Sequence, residues 1–438
     1  MRLTPLEAWT CRTVCPGGER LSRERIDAYQ LEMLRQTVDW AKERSPFYRE
    51  RLAGVSGRGL RGLQDLTALP FTTADDLRRR PQRFLCVSQS EVSRVVTLPT
   101  SGTTGDPKRV FFTAADQERT IDFFHHGMAT LAGPGDRVLI LLPGELPGSV
   151  GDLLMKGLDR LGATGVPHGP VRDFHRTLDV MEAERIDCLV GVPVQVLGLA
   201  RTGRGRAAPV GVLLSTDHVP EALSGALRRA WGCRVYTHYG MTEMGFGGGV
   251  ECEAGIGYHF READLCVEIV DPATGNPVPE GEAGEVVFTT LTRRAMPLIR
   301  YRTGDVSRFL PDSCPCGSVL KTMERVRSRL GHVRILAGGG TLSMADLDEA
   351  VLAVDGVLDF RASLAGERGR DRLRIETRLT ADACPSDTFA AIKEALHALP
   401  VINSARRAGT LALDVGPPPE GQTSGMEGAK RVLADLRF

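Results

Sequence analysis

Three apolar runs, RVLILLPG at Arg137–Gly144, DCLVGVP at Asp187–Pro193 and VGVLLST at Val210–Thr216, alternate with the helical stretches RTLDVMEAER at Arg176–Arg185 and PEALSGALRRAW at Pro220–Trp231. Short apolar runs without polar alternation suit strands buried on both faces, and their alternation with helices is the rhythm of a mostly parallel, helix-covered sheet. The middle of the chain is therefore predicted to be α/β. Upstream, LSRERIDAYQLEMLRQTVDWAKERSPFYRERL at Leu21–Leu52 mixes apolar and charged residues at helical spacing until Pro46 interrupts it, which predicts an amphipathic entry helix. Between Leu265 and Phe309 the pattern changes to short strands broken by Asn276-Pro277, Pro279-Glu280-Gly281 and Gly284, the mark of hairpins in a smaller β subdomain. After about Arg329 come a helix at SMADLDEAVLAV, strands at FRASLAG and RLRIETRL, a helix at DTFAAIKEALHAL and a strand at GTLALDVG. The expected organisation is a large N-terminal α/β domain with a β subdomain over residues 1–328, and a small α+β C-terminal domain over residues 329–438.

The bulk properties agree with a folded, multidomain protein. A chain of 438 residues exceeds what one core usually serves, and 42% hydrophobic with 25% charged residues is an ordinary globular balance. Lys plus Arg and Asp plus Glu are both 55, so no basic excess points to nucleic acid. The opening MRLTPLEAWTCRTVCPGGER has no apolar core of signal-peptide length and no later stretch is long enough to span a bilayer, so the expectation is a cytoplasmic protein with no membrane partner. Ten cysteines are too few for a disulfide scaffold of this size, and only Cys314 and Cys316 form a tight pair.

The segment Thr100-Ser101-Gly102-Thr103-Thr104-Gly105-Asp106-Pro107-Lys108 crowds hydroxyls, glycines and a lysine into a loop after the strand-like VSRVVTLP. Such a loop can wrap phosphates with backbone N–H groups, hydroxyls and a cation. A Walker-type P-loop would need its lysine directly after glycine and a hydroxyl residue after it, whereas Lys108 follows Pro107 and precedes Arg109. The bland alternative is a polar turn.

With the segments Tyr239-Gly240-Met241-Thr242-Glu243 and Tyr301-Arg302-Thr303-Gly304-Asp305 following in order, the chain resembles the AMP-forming adenylating enzymes that include acyl-CoA synthetases, and within them the phenylacetate-CoA ligase branch. The resemblance implies an ATP/AMP site in which Tyr239 lies against adenine, Thr242 contacts the α-phosphate, Glu243 helps to hold Mg2+ and Asp305 accepts from the ribose hydroxyls. It also assigns Ser101 to Gly105 and Lys108 to the phosphates, and Ser215-Thr216-Asp217 to a turn that contacts adenine. Each segment has a local alternative: a strand end for YGMTE, a β-turn at Gly304-Asp305, and a helix N-cap for Ser215 to Asp217 ahead of PEALSGAL.

Cys314-Pro315-Cys316-Gly317 together with Cys252 and His259 supplies three sulfurs and an imidazole, a set suited to tetrahedral structural Zn2+, and the branch looks similar here. The alternative is reduced thiols on a turn. The family hinge, about which the small domain swings, corresponds to Ser328-Arg329-Leu330-Gly331-His332, retaining Arg329 but not the acidic positions. The terminal Gly-Lys-Ala-Lys-Arg-Val of the branch reads Glu427-Gly428-Ala429-Lys430-Arg431-Val432, which leaves Lys430 as the catalytic lysine only if the loop slips. Phe123, Phe124, His125, His126 and Gly144 to Val150 lie where the family builds acyl pockets, although such residues also serve as core. The implied activity is ATP-dependent conversion of a small carboxylic acid, aromatic by the branch, to its acyl-adenylate, followed by thioester formation with coenzyme A. Transfer to a carrier-protein thiol or an amine, and a nucleotide-binding protein with reduced catalysis, stand as alternatives; a homodimer is left open.

Overall fold

The computed structural model describes residues 1–98, 107–367, 369–419 and 431–437. The chain divides into two compact units, one comprising Met1–Pro134, Glu145–Ala163 and His238–Val326, the other Gly135–Gly144, Thr164–Thr237 and Arg327–Phe438. The α/β class expected from the apolar runs is the class observed. Among the described residues no helix is long and apolar enough to cross a membrane.

In the first unit, the entry helix Arg23–Arg44 starts at Ser22, whose side chain accepts from the Arg25 N–H, and stops at Ser45. Ser45 in turn caps the short helix Pro46–Arg51 by accepting from the Tyr48 N–H. Pro46 both ends one helix and opens the next, because a proline at the first helical position has no N–H to leave unsatisfied. The strands Arg94–Leu98 and Lys108–Phe112 form an antiparallel hairpin with Leu98 opposite Lys108, and Ser101 to Gly105 of the phosphate loop lie between them, outside the described residues.

The β subdomain is built from Leu265–Val270, Gly284–Thr290 and Tyr301–Ser307, consecutive antiparallel neighbours as the turn residues predict. Its entry into the third strand is pinned by Arg300, whose backbone sits at φ 46 and whose buried guanidinium contacts Glu268 at 3.1 and 3.0 Å and the carbonyls of Leu69 and Gly275 at 3.1 Å. A left-handed conformation at a non-glycine residue is costly and persists where surrounding contacts over-determine it. A further antiparallel run, Gly249–Glu251 with Tyr258–Phe260 and then Thr322–Met323, continues from His238 and Tyr239.

In the second unit, five parallel strands lie in the order Thr164–Pro167, Arg137–Ile140, Cys188–Gly191, Gly211–Leu214 and residues 234–237 of Arg234–Tyr239. Cys188–Gly191 and Gly211–Leu214 are buried throughout, as their unbroken apolar sequences require. The C-terminal part of this unit is a four-stranded sheet in the order Leu411–Gly416, Arg370–Leu379, Val357–Glu367 and Leu433–Asp435. Helices Met344–Val351, Pro385–His397 and Pro400–Arg407 accompany it. Its core residues Phe360, Leu373, Ile392 and Leu396 are continuous with Leu189, Val196 and Leu199, and Arg201 donates to the carbonyls of Leu352, at 2.7 Å, and Val357.

Asp348 is buried here, and desolvation raises its carboxyl to about 7 against the pull of the Arg431 guanidinium, with Asp217 and Asp359 adding to the rise. The unfolded chain therefore ionises Asp348 at lower pH than the folded protein does, so this group withdraws stability as pH rises from about 4 to about 7. Asp348→Asn is expected to weaken that fall. Denaturant midpoints of the two proteins across this range should diverge in favour of asparagine as pH rises.

Candidate active site

Lys108 opens the second strand of the Arg94–Phe112 hairpin and directs its ammonium to Oε1 of Glu243; their side chains are 18% and 4% exposed. Glu243 sits in the tight turn Thr242–Met244, which Gly245 closes at φ 81. Tyr301 donates its hydroxyl to the same Oε1 at 3.1 Å. Burial works against ionisation of Glu243, but Lys108 and Tyr301 outweigh it and hold the carboxyl below its ordinary range. The result is a buried carboxylate kept charged by one cation and one hydroxyl.

Tyr239 ends the strand Arg234–Tyr239 with its ring against Tyr258 and Phe260, at centroid distances of 5.8 and 6.0 Å, and donates its hydroxyl to Oδ2 of Asp305 at 2.9 Å. Asp305 is held from the strand Tyr301–Ser307, on which Gly304 donates to Glu285 at 3.0 Å. A single contact thus joins the residue assigned to adenine with the residue assigned to ribose. Gly240 is required by space: a Cβ there would lie 2.7 Å from the Phe246 carbonyl oxygen and 2.8 Å from the Gly247 Cα. Met241, between them, accepts at its carbonyl from the N–H groups of Met244 and Phe246, both at 3.0 Å, which shapes the turn carrying Thr242 and Glu243.

The structure therefore brings together Lys108, Glu243 and Tyr301, and separately pairs Tyr239 with Asp305. Tyr301 was only part of a sequence motif; its role on Glu243 comes from the fold, because the strand that holds Asp305 also delivers Tyr301. Phe123 and Phe124 are buried, and Phe123 packs on His238 and Trp9 with centroids at 5.8 and 6.3 Å. His125 and His126 stack on each other at 4.3 Å, and burial, His125 and Arg12 lower His126 to about 4, so it is a neutral ring at ordinary pH.

The other sequence-assigned nucleotide residues lie in the second unit. Ser215 donates its N–H to Gly191 at 3.1 Å just beyond the strand Gly211–Leu214, and Thr216 adopts φ 80. The N-cap reading of Ser215 to Asp217 fails, since helix Glu221–Trp231 starts only after Pro220. Asp217 accepts from its neighbour His218 at 2.9 Å and from the Arg431 N–H at 3.0 Å. Arg329 ends the short strand Ser328–Arg329, and its carbonyl accepts from His332 across a turn in which Gly331 has φ 77. Lys430 lies outside the described residues.

In the first unit, Cys252, His259, Cys314 and Cys316 converge with their ligand atoms all within 4.8 Å of one another, and all are buried. The hairpin Gly249–Phe260 places Cys252 beside His259, and the pairing of Thr322 with His259 folds the Cys314–Cys316 turn onto them. The Cys252 and Cys314 sulfurs are 3.5 Å apart and Cys316 Sγ is 3.4 Å from His259 Nε2. Tetrahedral Zn2+ with ordinary Zn–S and Zn–N lengths requires ligand-to-ligand edges of about 3.5 to 3.8 Å; these two pairs come near that, and the donor set suits the ion in kind.

The chain is similar to known proteins. The family described as AMP-binding enzyme matches residues 67–291, a span that contains the hairpin with Lys108 and the Tyr239–Glu243 segment. A phenylacetate-coenzyme A ligase of Thermus thermophilus is 32% identical over 96% of this chain and 99% of its own length. This chain belongs to the AMP-binding enzymes. Within that family, a phenylacetate-coenzyme A ligase of Escherichia coli is also similar, 30% identical over 82% of this chain and 84% of that one. Among solved folds, a 2-hydroxyisobutyryl-CoA ligase in the postadenylation state, in complex with R3-HIB-AMP, superposes with a TM-score of 0.79 at 22% identity, covering 96% of this chain and 92% of that one.

Proposed function

We propose that this AMP-binding enzyme is an aryl-CoA ligase that activates a phenylacetate-like acid. The observation that carries the reading is the Lys108–Glu243–Tyr301 cluster, in a chain matching a phenylacetate-CoA ligase over nearly its whole length. ATP and a carboxylate repel each other, so joining them requires neutralised phosphates and an oxygen held in line with the α-phosphorus. A carboxylate oxygen of the acid attacks the α-phosphorus, and pyrophosphate leaves with the electrons of the broken P–O bond. The coenzyme A thiolate sulfur then attacks the acyl carbon, and AMP departs with its oxygen.

Lys108 would neutralise phosphate oxygens, helped by Ser101 to Gly105, while Thr242 donates to the α-phosphate. Glu243, buried and kept ionised, is the residue that would hold Mg2+, a hard cation that offsets triphosphate charge when bound. Tyr239 and Asp305 would orient the nucleoside, with the 215–217 turn at adenine. Residues 329–438 would form the mobile C-terminal domain, with Arg329 at its hinge and Lys430 serving adenylation. The four-ligand Cys/His cluster would hold a structural Zn2+ with no position left for water, and so no catalytic part. No disulfide joins any of the ten cysteines, the state that a reducing cytoplasm favours.

The test is AMP and acyl-CoA production from a panel of aromatic and aliphatic acids. Phenylacetate and close aryl acids should exceed short aliphatic acids in kcat/KM by about tenfold or more, the range that pocket fit provides. Equal turnover of aliphatic acids would remove the aromatic assignment.

A further inference from the structure

Arg431 is a buried cation of the second unit held between two carboxylates, and no step of the proposed reaction accounts for it. Its guanidinium donates to Asp348 on the helix Met344–Val351 at 2.9 Å and to Asp359 on the strand Val357–Glu367. It also lies 4.5 Å above the centre of the Phe360 ring. Its backbone N–H does something different: it donates to Asp217 at 3.0 Å, 214 residues away, on the turn that follows the strand Gly211–Leu214. Asp217 spends its other oxygen on the His218 N–H at 2.9 Å. The carboxylate is therefore occupied on both sides by backbone donors. The residue before it, Thr216, is held at φ 80, a conformation a β-branched residue keeps only when its surroundings impose it.

These contacts divide into two sets. The guanidinium contacts lie wholly within the segment after Arg327, and fix residue 431 to its own helix and strand. The amide contact alone reaches the 215–217 turn. A planar, buried guanidinium forked between two carboxylates is a rigid anchor, and a hydrogen bond from an anchored amide to a carboxylate transmits that rigidity to the turn.

We infer that the Asp217–Arg431 contact is a latch for the adenylation half-reaction, with Arg431 a positioning residue that ties the C-terminal strand to the nucleotide turn while ATP reacts. The latch acts on the step in which the turn must be ordered around ATP, and it is dispensable once the acyl-adenylate exists. The inference rests on the ligase reading above. It requires no position for Lys430.

The experiment compares the two half-reactions in wild type, Arg431→Ala, Asp217→Ala and the double variant: acid-dependent ATP–pyrophosphate exchange, and coenzyme A-dependent consumption of preformed acyl-adenylate. Each single variant should lose about 10- to 100-fold in exchange, the worth of a charge-assisted hydrogen bond. In Arg431→Ala, thioester formation from the preformed adenylate should stay within about twofold, and exchange in the double variant should be no worse than in the poorer single one. If Arg431→Ala lowers the melting temperature enough to obscure its kinetics, Arg431→Lys, which keeps a cation between Asp348 and Asp359 but loses the planar fork, decides alone. Unchanged exchange in a folded variant overturns the latch. So does an equal loss in both half-reactions of Arg431→Ala, or additive losses in the double variant, which would mean that the two residues act independently. Absence of exchange in the wild type refutes the ligase reading instead.

Discussion

Lys108→Ala lowers kcat/KM for acyl-adenylate formation by about 10²- to 10³-fold, the effect expected when a positioned charge facing a developing anion is removed from a shielded site. The structure gives two reasons for so large a loss. Lys108 is the cation paired with Glu243, and removing it takes the largest stabilising charge from a carboxylate that is 4% exposed, leaving a backbone hydrogen bond and the Tyr301 hydroxyl to hold its charge. Burial then dominates, the carboxyl rises toward its neutral form, and a neutral carboxyl is a poor ligand for a hard cation. One substitution would therefore remove the proposed phosphate contact and impair the proposed metal ligand. Glu243→Gln separates the two: it keeps the shape and an acceptor for Tyr301 but loses the charge, so its defect should shrink as Mg2+ is raised, whereas that of Lys108→Ala should shrink only in part, since added metal does not restore the lost ammonium. ATP–pyrophosphate exchange titrated with Mg2+ reads both. Lys108→Ala retaining a third or more of wild-type exchange would exclude Lys108 from the chemistry.

Replacing Cys314 and Cys316 together by serine is expected to take the protein from about one zinc per chain to nearly none, and to cost several kcal/mol of stability, since a structural zinc contributes folding energy directly. Burial raises the Cys252 and Cys314 thiols above their ordinary range, so without a cation these groups are neutral. A bound divalent ion reverses that preference, and metal retention should accordingly weaken as pH falls. The ligands come from the hairpin Gly249–Phe260 and the turn before Thr322–Met323, so the loss should loosen that part of the first unit. Metal analysis with thermal unfolding checks this. Zinc that remains stoichiometric in the double variant would refute the ligand assignment.

What could be read from the sequence was local. Pro46 marks a helix boundary because its ring has a fixed effect on its neighbours, and the runs at Cys188–Gly191 and Gly211–Leu214 declare burial by composition alone. The helix Pro400–Arg407 is not among the expected elements: it follows DTFAAIKEALHAL directly, and Pro400, at its first position, opens it. The strand Leu433–Asp435 escaped because a three-residue element has no periodicity, and only its parallel partner Val357–Glu367 defines it. At the site, the order of motifs named Lys108, Glu243, Tyr239 and Asp305, but not their partners. The Lys108–Glu243 and Asp217–Arg431 contacts join residues 135 and 214 apart, and nothing in either local sequence encodes the other end. Asp217 looked like a helix cap because Ser-Thr-Asp is good cap chemistry; Pro220 moves the helix start beyond its reach.

The central claim is that the acid is activated on the α-phosphate of ATP before any thiol is engaged. The most direct test is exchange of labelled pyrophosphate into ATP with phenylacetate present and coenzyme A absent. The account predicts exchange that depends on the acid and on Mg2+, and that falls by about 10²-fold or more in Lys108→Ala. Saturable ATP binding with no acid-dependent exchange, or exchange that appears only when coenzyme A is added, would contradict it.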